Sequence, residues 1–100
     1  MELDALTIAH TRHGDRGHYA IALPDGSEAE MTYRLRLSDG AMMIDHTFVP
    51  PQYEGRGIAL RLVKASIQDA RDGGFSILPI CPYVVVQFRR HPEWADLLAA

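Results

Sequence analysis

One short glycine loop constrains this chain more than any other feature. The segment from Phe48 to Ala59 reads FVPPQYEGRGIA. The apolar run before it predicts a strand, which the two prolines end because proline donates no backbone hydrogen bond. After the loop, apolar and small residues recur at helical spacing, at Ile58, Leu62, Val63, Ser66, Ile67 and Ala70. The chain must therefore pass from a strand through a tight turn into a helix.

That turn predicts a site for an anion such as phosphate. Glycine at positions 55 and 57 permits positive φ and close backbone approach. The first N–H groups of the helix have no intrahelical partner, and the helix dipole adds partial positive charge there. Neither common nucleotide motif fits, because no lysine follows the glycines and Leu60 occupies the third glycine position of Gly-x-Gly-x-x-Gly. A turn that binds nothing is the alternative.

The loop pattern Gln-x-x-Gly-x-Gly, here Gln52, Gly55 and Gly57, resembles the acetyl-CoA pyrophosphate loop of the GNAT superfamily of N-acetyltransferases. The chain is also similar to a small stand-alone subgroup of that superfamily. The matching segments are His46-Thr47-x-Val49-Pro50, Pro79-x-Cys81-Pro82-Tyr83-Val84 and Arg90-His91-Pro92-Glu93. The resemblance covers nearly the whole chain and implies a minimal acetyltransferase-like fold that binds coenzyme A.

Length and composition narrow the class of protein. The 100 residues predict a single small domain, and the resemblance implies that this domain is GNAT-like over 1–100. The net charge of -3, with no block of lysine and arginine, argues against nucleic-acid binding and is compatible with a basic amine acceptor. One cysteine excludes an internal disulfide and points to a reducing compartment. Without a signal-peptide pattern or a long apolar run, we expect a cytoplasmic protein with no membrane partner.

Hydrophobic alternation and turn residues predict the order of elements. Residues 6–11 form a first strand or a frayed arm, and the polar residues 10–18 form a turn. Three strands joined by tight turns follow at residues 19–23, 28–37 and 41–48. A helix over 57–72, with a glycine cap at 73–74, and a strand over 75–79 complete a crossover, which implies parallel pairing.

The C-terminal segment is ambiguous from its residues alone. Residues 83–88 are β-branched enough for a strand, whereas Pro82 suits a first helical turn and Arg89-Arg90 a helix C-terminus. The resemblance favours a helix, and a short terminal helix begins at Pro92. The predicted class is therefore α+β: a minimal GNAT-like fold with a mostly antiparallel mixed sheet, a central crossover helix and C-terminal helices. The resemblance further implies that the strands flanking the crossover helix splay apart around the pantetheine arm.

The resemblance also assigns cofactor contacts. Backbone N–H groups of Gly55, Arg56, Gly57 and Ile58 would hold the pyrophosphate of acetyl-CoA. The Arg56 side chain either adds charge or is simply solvated. Backbone atoms of Phe48 and Val49 would pair with the pantetheine amides.

The catalytic base has no obvious candidate. Superfamily members usually carry a glutamate on the strand before the loop, and the nearest substitutes here are Asp45 and His46. Strand alternation places Asp45 with Thr47 on one face and His46 with Ile44 and Phe48 on the other. Because histidine exchanges protons near neutral pH, His46 is the best candidate base, with a packed core histidine as the alternative. The opposite faces of Asp45 and His46 argue against a relay of Cys81, His46 and Asp45.

Two further residues have a chemical and a structural interpretation. Cys81, near a helix N-terminus, would form an acyl-enzyme if its thiolate is favoured, or would simply pack. Tyr83 would protonate the departing thiolate, or would be a half-buried aromatic. His10, His13 and His18 are irregularly spaced and lack a cysteine or carboxylate pair, so we expect no metal site.

These observations predict an acetyl-CoA-dependent N-acetyltransferase. Residues 23–28 leave room only for a turn, where superfamily enzymes usually place helices that shape the acceptor site. The acceptor site is therefore expected to be open, or to be completed by a large partner or a second subunit, and an amine of a protein or peptide fits it more easily than a small enclosed metabolite. The alternative is a non-enzymatic CoA-binding sensor or adaptor, and a third option is an interaction domain that uses a Trp94 surface without a cofactor.

Overall fold

The computed structural model describes residues 5–100, and in them five strands form one sheet in the order β1-β2-β3-β4-β5. The strands are β1 (Ile8–His13), β2 (Arg16–Ala22), β3 (Glu28–Leu35), β4 (Met42–Phe48) and β5 (Ile77–Pro79). The first four are antiparallel neighbours, and β4 pairs with β5 in parallel. The helices are α1 (Ile58–Gly73) and α2 (Pro82–Arg90), with 3-10 segments at Pro51–Tyr53 and Pro92–Leu97. The predicted α+β class with a mostly antiparallel mixed sheet is confirmed.

The first hairpin is longer than the sequence predicts. The turn expected over residues 10–18 is wrong, because β1 continues to His13 and β2 resumes at Arg16. Only two residues make the turn, and Gly14 adopts the positive φ of +62° that such a hairpin requires. The His10 ring stacks on the buried Tyr19 ring at a centroid distance of 4.1 Å. This cross-strand packing stabilises a polar sequence as a strand.

The core lies between one face of the sheet and α1. All six α1 positions predicted from helical spacing are buried. Opposite them, β3 contributes Ala29, Met31 and Tyr33, each at most 3% exposed. We call this the inner face. The alternate residues of β3 (Glu28, Glu30, Thr32 and Arg34) are exposed or half-buried and define a polar outer face.

A β-bulge in β4 changes which residues share a face. Thr32 pairs with His46 but the next residue, Tyr33, pairs with Ile44, so Asp45 is an extra residue opposite β3. A bulge sets two residues of one strand against one of its partner, and alternation does not hold across it. Consequently Asp45 contacts the outer-face residue Thr32, and its neighbour His46 is paired with that same residue. The predicted separation of Asp45 and His46 onto opposite faces is therefore wrong.

After the bulge, β4 and β5 diverge. Their parallel pairing runs from Met42↔Ile77 to Ile44↔Pro79 and ends there, although β4 continues to Phe48. The Ile44 carbonyl accepts the N–H groups of both Ile80 and Cys81 at 2.9 Å, which closes the ladder. The two strands therefore separate as the resemblance implies, and a gap opens beyond Ile44.

The C-terminal region packs back on the helices. Residues 82–90 are helical, with Pro82 in the first turn, and residues 92–97 form a 3-10 segment where a short helix was expected. Trp94 is 6% exposed, stacks on His91 at 3.9 Å and meets Phe88 edge-on at 5.5 Å. Since the Trp94 ring is buried by this packing, it offers no surface for a partner. In residues 5–100 no helix combines the length and apolar character needed to cross a membrane.

Candidate functional site

A cleft of about 470 Å³ opens where β4 and β5 diverge. Its walls come from the end of β4, the glycine loop, the first turn of α1 and one side of α2. Four predicted cofactor residues line it, namely Val49, Gly55, Gly57 and Ile58, and so does the candidate acid Tyr83. The other lining residues are Thr47, Tyr53, Glu54, Ala59, Gln87 and Arg90. The gap between the strands and the glycine loop are thus parts of one cavity.

The glycine loop requires its glycines for backbone conformation. Gly55 and Gly57 both have φ of +79°, in the left-handed region that other residues rarely adopt. Gly57 is the N-cap of α1 and gives the helix no side-chain cap. A Cβ atom added to either glycine would meet no atom within 4 Å among the described residues. The backbone at the start of α1 therefore borders open space and lines the cleft, as an anion site requires.

Gln52 fixes the loop to the opposite hairpin. Its Nε2 donates to Asp25 Oδ2 at 2.9 Å, in the turn between β2 and β3. Hydrogen bonds from the Ser27 hydroxyl, from Gln52 and from the Ser27 N–H lower the pKa of Asp25 to about 2. Gln52 is absent from the cleft lining. In this structure its contacts position the loop.

Arg56 and Phe48 also lie outside the cleft lining. The Arg56 guanidinium lies over the Tyr53 ring at 5.6 Å from the centroid, a cation–π contact. Tyr53 is itself 8% exposed and lines the cleft. Phe48 is 45% exposed and pairs with Glu30 across the strands, so its side chain lies on the outer face. The contact predicted for Phe48 involves its backbone, which remains a prediction.

Tyr83 has the position and the protonation state that a proton donor needs. It lies in the first turn of α2 and lines the cleft. Burial raises the pKa of its hydroxyl, and the positive charge of Arg90 offsets part of that rise. The phenol therefore keeps its proton at neutral pH. Tyr83, Gln87 and Arg90 follow one face of α2 at helical spacing, a pattern that could have identified Gln87 and Arg90 from sequence.

Cys81 is buried beside the cleft and absent from its lining. It is the N-cap of α2, and its Sγ donates to Thr47 Oγ1 at 3.7 Å. Thr47 pairs with the buried Met31 and lines the cleft, so it stands between the thiol and the cavity. Strand alternation could not predict this contact, because the bulge moves Thr47 to the inner face.

His46 and Asp45 lie on the outer face instead. His46 Nε2 is 3.4 Å from Glu30 Oε2, and Asp45 Oδ1 accepts a hydrogen bond from the Thr32 hydroxyl at 2.7 Å. The three candidate catalytic residues are therefore not brought together in one cavity. Glu30 is a further acidic residue that sequence reasoning missed, since its partner is set by strand register.

The three N-terminal histidines do not meet. His10 Nε2 is 2.6 Å from the Tyr33 hydroxyl, and His10 Nδ1 is 3.6 Å from Asp69 Oδ2. His18 lies on the outer face, with its Nε2 at 3.2 Å from Glu30 Oε1 and 3.8 Å from Glu28 Oε1. The carboxylates near His18 come from β3, and the spacing of residues in the sequence did not indicate this proximity.

Comparison with known proteins relates this chain to a family and to a solved structure. The family model for GCN5-related N-acetyl-transferases matches residues 18–97. A GCN5-like protein from Staphylococcus aureus, solved by NMR in solution, has a similar fold, with a TM-score of 0.68 and 22% sequence identity. The alignment covers 92% of this chain and 88% of the Staphylococcus aureus protein. At that identity the likeness concerns the fold.

Proposed function

The chain belongs to the GCN5-related N-acetyltransferase family, and we propose that it transfers an acetyl group from acetyl-CoA to an amine of a protein or peptide. The observation that carries the proposal is the open, glycine-lined N-terminus of α1 at one end of the cleft between the diverging strands. An anion at the helix end and an extended arm in the gap would together match the shape of coenzyme A.

Each part of the donor has a candidate partner. The pyrophosphate would accept hydrogen bonds from the backbone N–H groups of Gly55, Arg56, Gly57 and Ile58. The pantetheine amides would pair with the backbone of Phe48 and Val49, where β4 has lost its β5 neighbour. The thioester would then lie close to Thr47 and Tyr83, which line the same cleft.

Transfer requires one proton to leave the amine and one to reach the thiolate. The amine nitrogen attacks the thioester carbonyl, the carbon–sulfur bond breaks, and the leaving CoA thiolate takes a proton. Tyr83, which keeps its proton at neutral pH, would supply it. His46 does not line the cleft, so it would accept the amine proton through a water molecule at the outer face. Glu30 Oε2 faces His46 Nε2, so the carboxylate would hold a proton on Nε2 and leave Nδ1 as the base.

Cys81 offers a second route to the same product. Its thiolate would attack the thioester, form an acetyl-cysteine and release CoA, and the amine would then take the acetyl group. The Thr47 hydroxyl that accepts its S–H lies between it and the cleft. Mass spectrometry of protein mixed with acetyl-CoA, with no acceptor present, distinguishes the routes. An acetyl group on Cys81 that passes to added amine supports the covalent route, and its absence supports direct attack.

The openness of the structure favours a large acceptor. Strands β2 and β3 are joined by a five-residue turn, in which Leu23 N–H donates to the Ser27 carbonyl at 2.9 Å. No helix from this connection covers the outer face. Carboxylates of Glu28, Glu30 and Asp45 lie on that face, and they would attract a positively charged lysine side chain or peptide N-terminus.

Calorimetric titration with acetyl-CoA and with CoA tests the donor site. Gly57→Asp should abolish binding, because a carboxylate in the open space before the helix would block and repel the pyrophosphate. Gly14→Asp is the matched control, since Gly14 also has positive φ, nothing lies within 4 Å of its Cβ position, and it is in a distant hairpin. Equal binding by wild type and Gly57→Asp would contradict the proposal.

Turnover with acetyl-CoA and a panel of lysine-containing peptides and polyamines tests the reaction. A CoA-binding module without enzymatic activity is the second candidate, favoured by the lack of a glutamate on β4. It predicts binding that Gly57→Asp removes, with no acetylated product from any acceptor. Product that disappears in Gly57→Asp excludes it.

A further inference from the structure

The outer face holds a cluster of one imidazole and two carboxylates away from the donor cleft. His18 Nε2, one oxygen of Glu28 and one oxygen of Glu30 all lie within 4.8 Å of one another. None of these residues lines the cleft. The cluster occupies adjacent strands, with His18 on β2 and both glutamates on β3.

The spacing within this cluster suits a shared cation. Ligand atoms at 2.0–2.2 Å from a tetrahedral ion lie about 3.3–3.6 Å from each other. His18 Nε2 is 3.2 Å from Glu30 Oε1 and 3.8 Å from Glu28 Oε1. Both distances lie within a few tenths of an ångström of that range, and the two carboxylate oxygens lie within 4.8 Å of each other. Rotation of these exposed and half-exposed side chains would complete three corners of a tetrahedron. The fourth corner would be left to solvent.

The charges of the cluster are also unbalanced. Glu28 and Glu30 bring two negative charges to the same face of one strand. In residues 5–100, the basic groups within 4.0 Å of their oxygens are the imidazoles of His18 and His46. No lysine or arginine of the described chain pairs with either glutamate. A divalent ion would neutralise both carboxylates while a neutral imidazole supplies the nitrogen ligand.

His46 provides support from the third strand. Its Nε2 is 3.4 Å from the Glu30 oxygen that does not face His18. An N–H directed at that second oxygen would orient the carboxylate and leave the first oxygen for an ion. Ligands on β2 and β3 and a supporting residue on β4 are all held by strand pairing, so little ordering is needed on binding.

We propose that His18, Glu28 and Glu30 form a binding site for a divalent transition-metal ion of the Zn²⁺ class, with His46 as a positioning residue for Glu30. Mixed nitrogen and carboxylate ligands select such ions over Ca²⁺ and Mg²⁺, which take oxygen ligands. The site lies outside the donor cleft, so it stands or falls independently of acetyl-CoA binding. It uses two of the three carboxylates that would attract a basic acceptor, so in the ion-bound form that attraction would come from Asp45.

Zinc calorimetry and cobalt absorption spectroscopy test the site. Both are run on Cys81→Ser protein, so that the chain's one thiol cannot act as a ligand. We expect one ion per chain, together with the visible absorption of low-symmetry Co²⁺. Glu30→Gln and His18→Gln should each weaken Zn²⁺ binding at least about tenfold, and His46→Gln by about tenfold. His13→Gln is the matched control, because His13 lies at the end of β1 outside the cluster.

Three outcomes would overturn the proposal. These are no Zn²⁺ binding in the Cys81→Ser protein, equal weakening by His13→Gln, or unchanged binding in both Glu30→Gln and His18→Gln. Titration with Ca²⁺ should show no competition with Zn²⁺.

Nitrogen-15 NMR of the histidine rings in wild type gives a second measure that needs no variant to fold. Zn²⁺ should shift the His18 Nε2 signal before any signal of His13, and the reverse order would contradict the site.

Discussion

Tyr19 on β2 donates a hydrogen bond from its hydroxyl to Asp69 Oδ2 on α1 at 2.6 Å. The bond joins the sheet to the second half of the crossover helix. The ring is 1% exposed, and burial, followed by the hydrogen bond and charge of Asp69, raises the Tyr19 pKa well above its ordinary value of 10.0. The neutral phenol is therefore the form that the folded protein favours.

This contact predicts a stability loss in alkaline solution. Because the folded pKa lies above the unfolded one, the contribution of Tyr19 is complete below about pH 10 and is lost as pH rises beyond it. Tyr19→Phe should lower the free energy of unfolding at pH 7 by about 1–2 kcal/mol and flatten its decline above pH 10. Urea unfolding across this range measures both effects, and an equally steep decline in the variant would contradict the assignment.

A second prediction concerns Gly17, which lies opposite Tyr33 on β3. A Cβ atom at Gly17 would lie 1.8 Å from Cζ of Tyr33, whose ring is 3% exposed. Gly17→Ala should therefore lower the free energy of unfolding by about 1–3 kcal/mol through overpacking. Combining it with Tyr33→Leu removes the clash, so the two effects should not add in urea unfolding. Strict additivity would exclude the clash as the cause.

A third prediction tests Tyr83 as the acid. Tyr83→Phe should reduce kcat by about 10²–10⁴-fold and leave acetyl-CoA affinity nearly unchanged, since only the hydroxyl is removed. Tyr53→Phe is the matched control, because Tyr53 also lines the cleft but lies in the loop. On the alkaline side, wild-type activity should fall only well above neutral pH, as the raised pKa of Tyr83 implies. A similar loss in both variants would indicate packing as the cause.

A fourth prediction concerns the link between Gln52 and Asp25. Gln52→Ala removes the 2.9 Å hydrogen bond that ties the glycine loop to the β2–β3 turn. We expect acetyl-CoA to bind several-fold more weakly. In the variant the loop would become ordered only on binding, and this ordering costs free energy. Asp25→Asn should have a similar effect in calorimetry, and Asp15→Asn, in the distant first hairpin, should have none. Unchanged affinity in Gln52→Ala would show that this hydrogen bond does not position the loop for acetyl-CoA binding.

Much of the fold could be predicted because it depends on local signals. The helical spacing from Ile58 to Ala70 identified every buried position of α1, and glycine and proline marked the ends of elements. The first hairpin was missed because its polar residues are stabilised by the stacking of His10 on Tyr19, a contact across strands. Strand register is not visible in either segment alone.

The candidate site was only partly predictable for the same reason. The loop glycines carry a local requirement for positive φ, and the structure places both on the cleft. The contacts of His46 with Glu30 and of Cys81 with Thr47 depend on pairing between strands and on one extra residue. A pattern with period two cannot report an insertion that interrupts the period.

The bulge at Asp45 shifts the inward–outward alternation of side chains between the two halves of β4. Before it, Met42 and Ile44 belong to the core, and after it Thr47 occupies the face that regular alternation would have given to His46. Residues on either side can therefore change under different constraints: packing against α1 for the first half, and the chemistry of the cleft for the second. Deleting Asp45 would therefore leave His46 opposite Thr32 and Thr47 opposite Met31 in an unbroken ladder, so the extra residue is what lets both keep these faces in the longer strand.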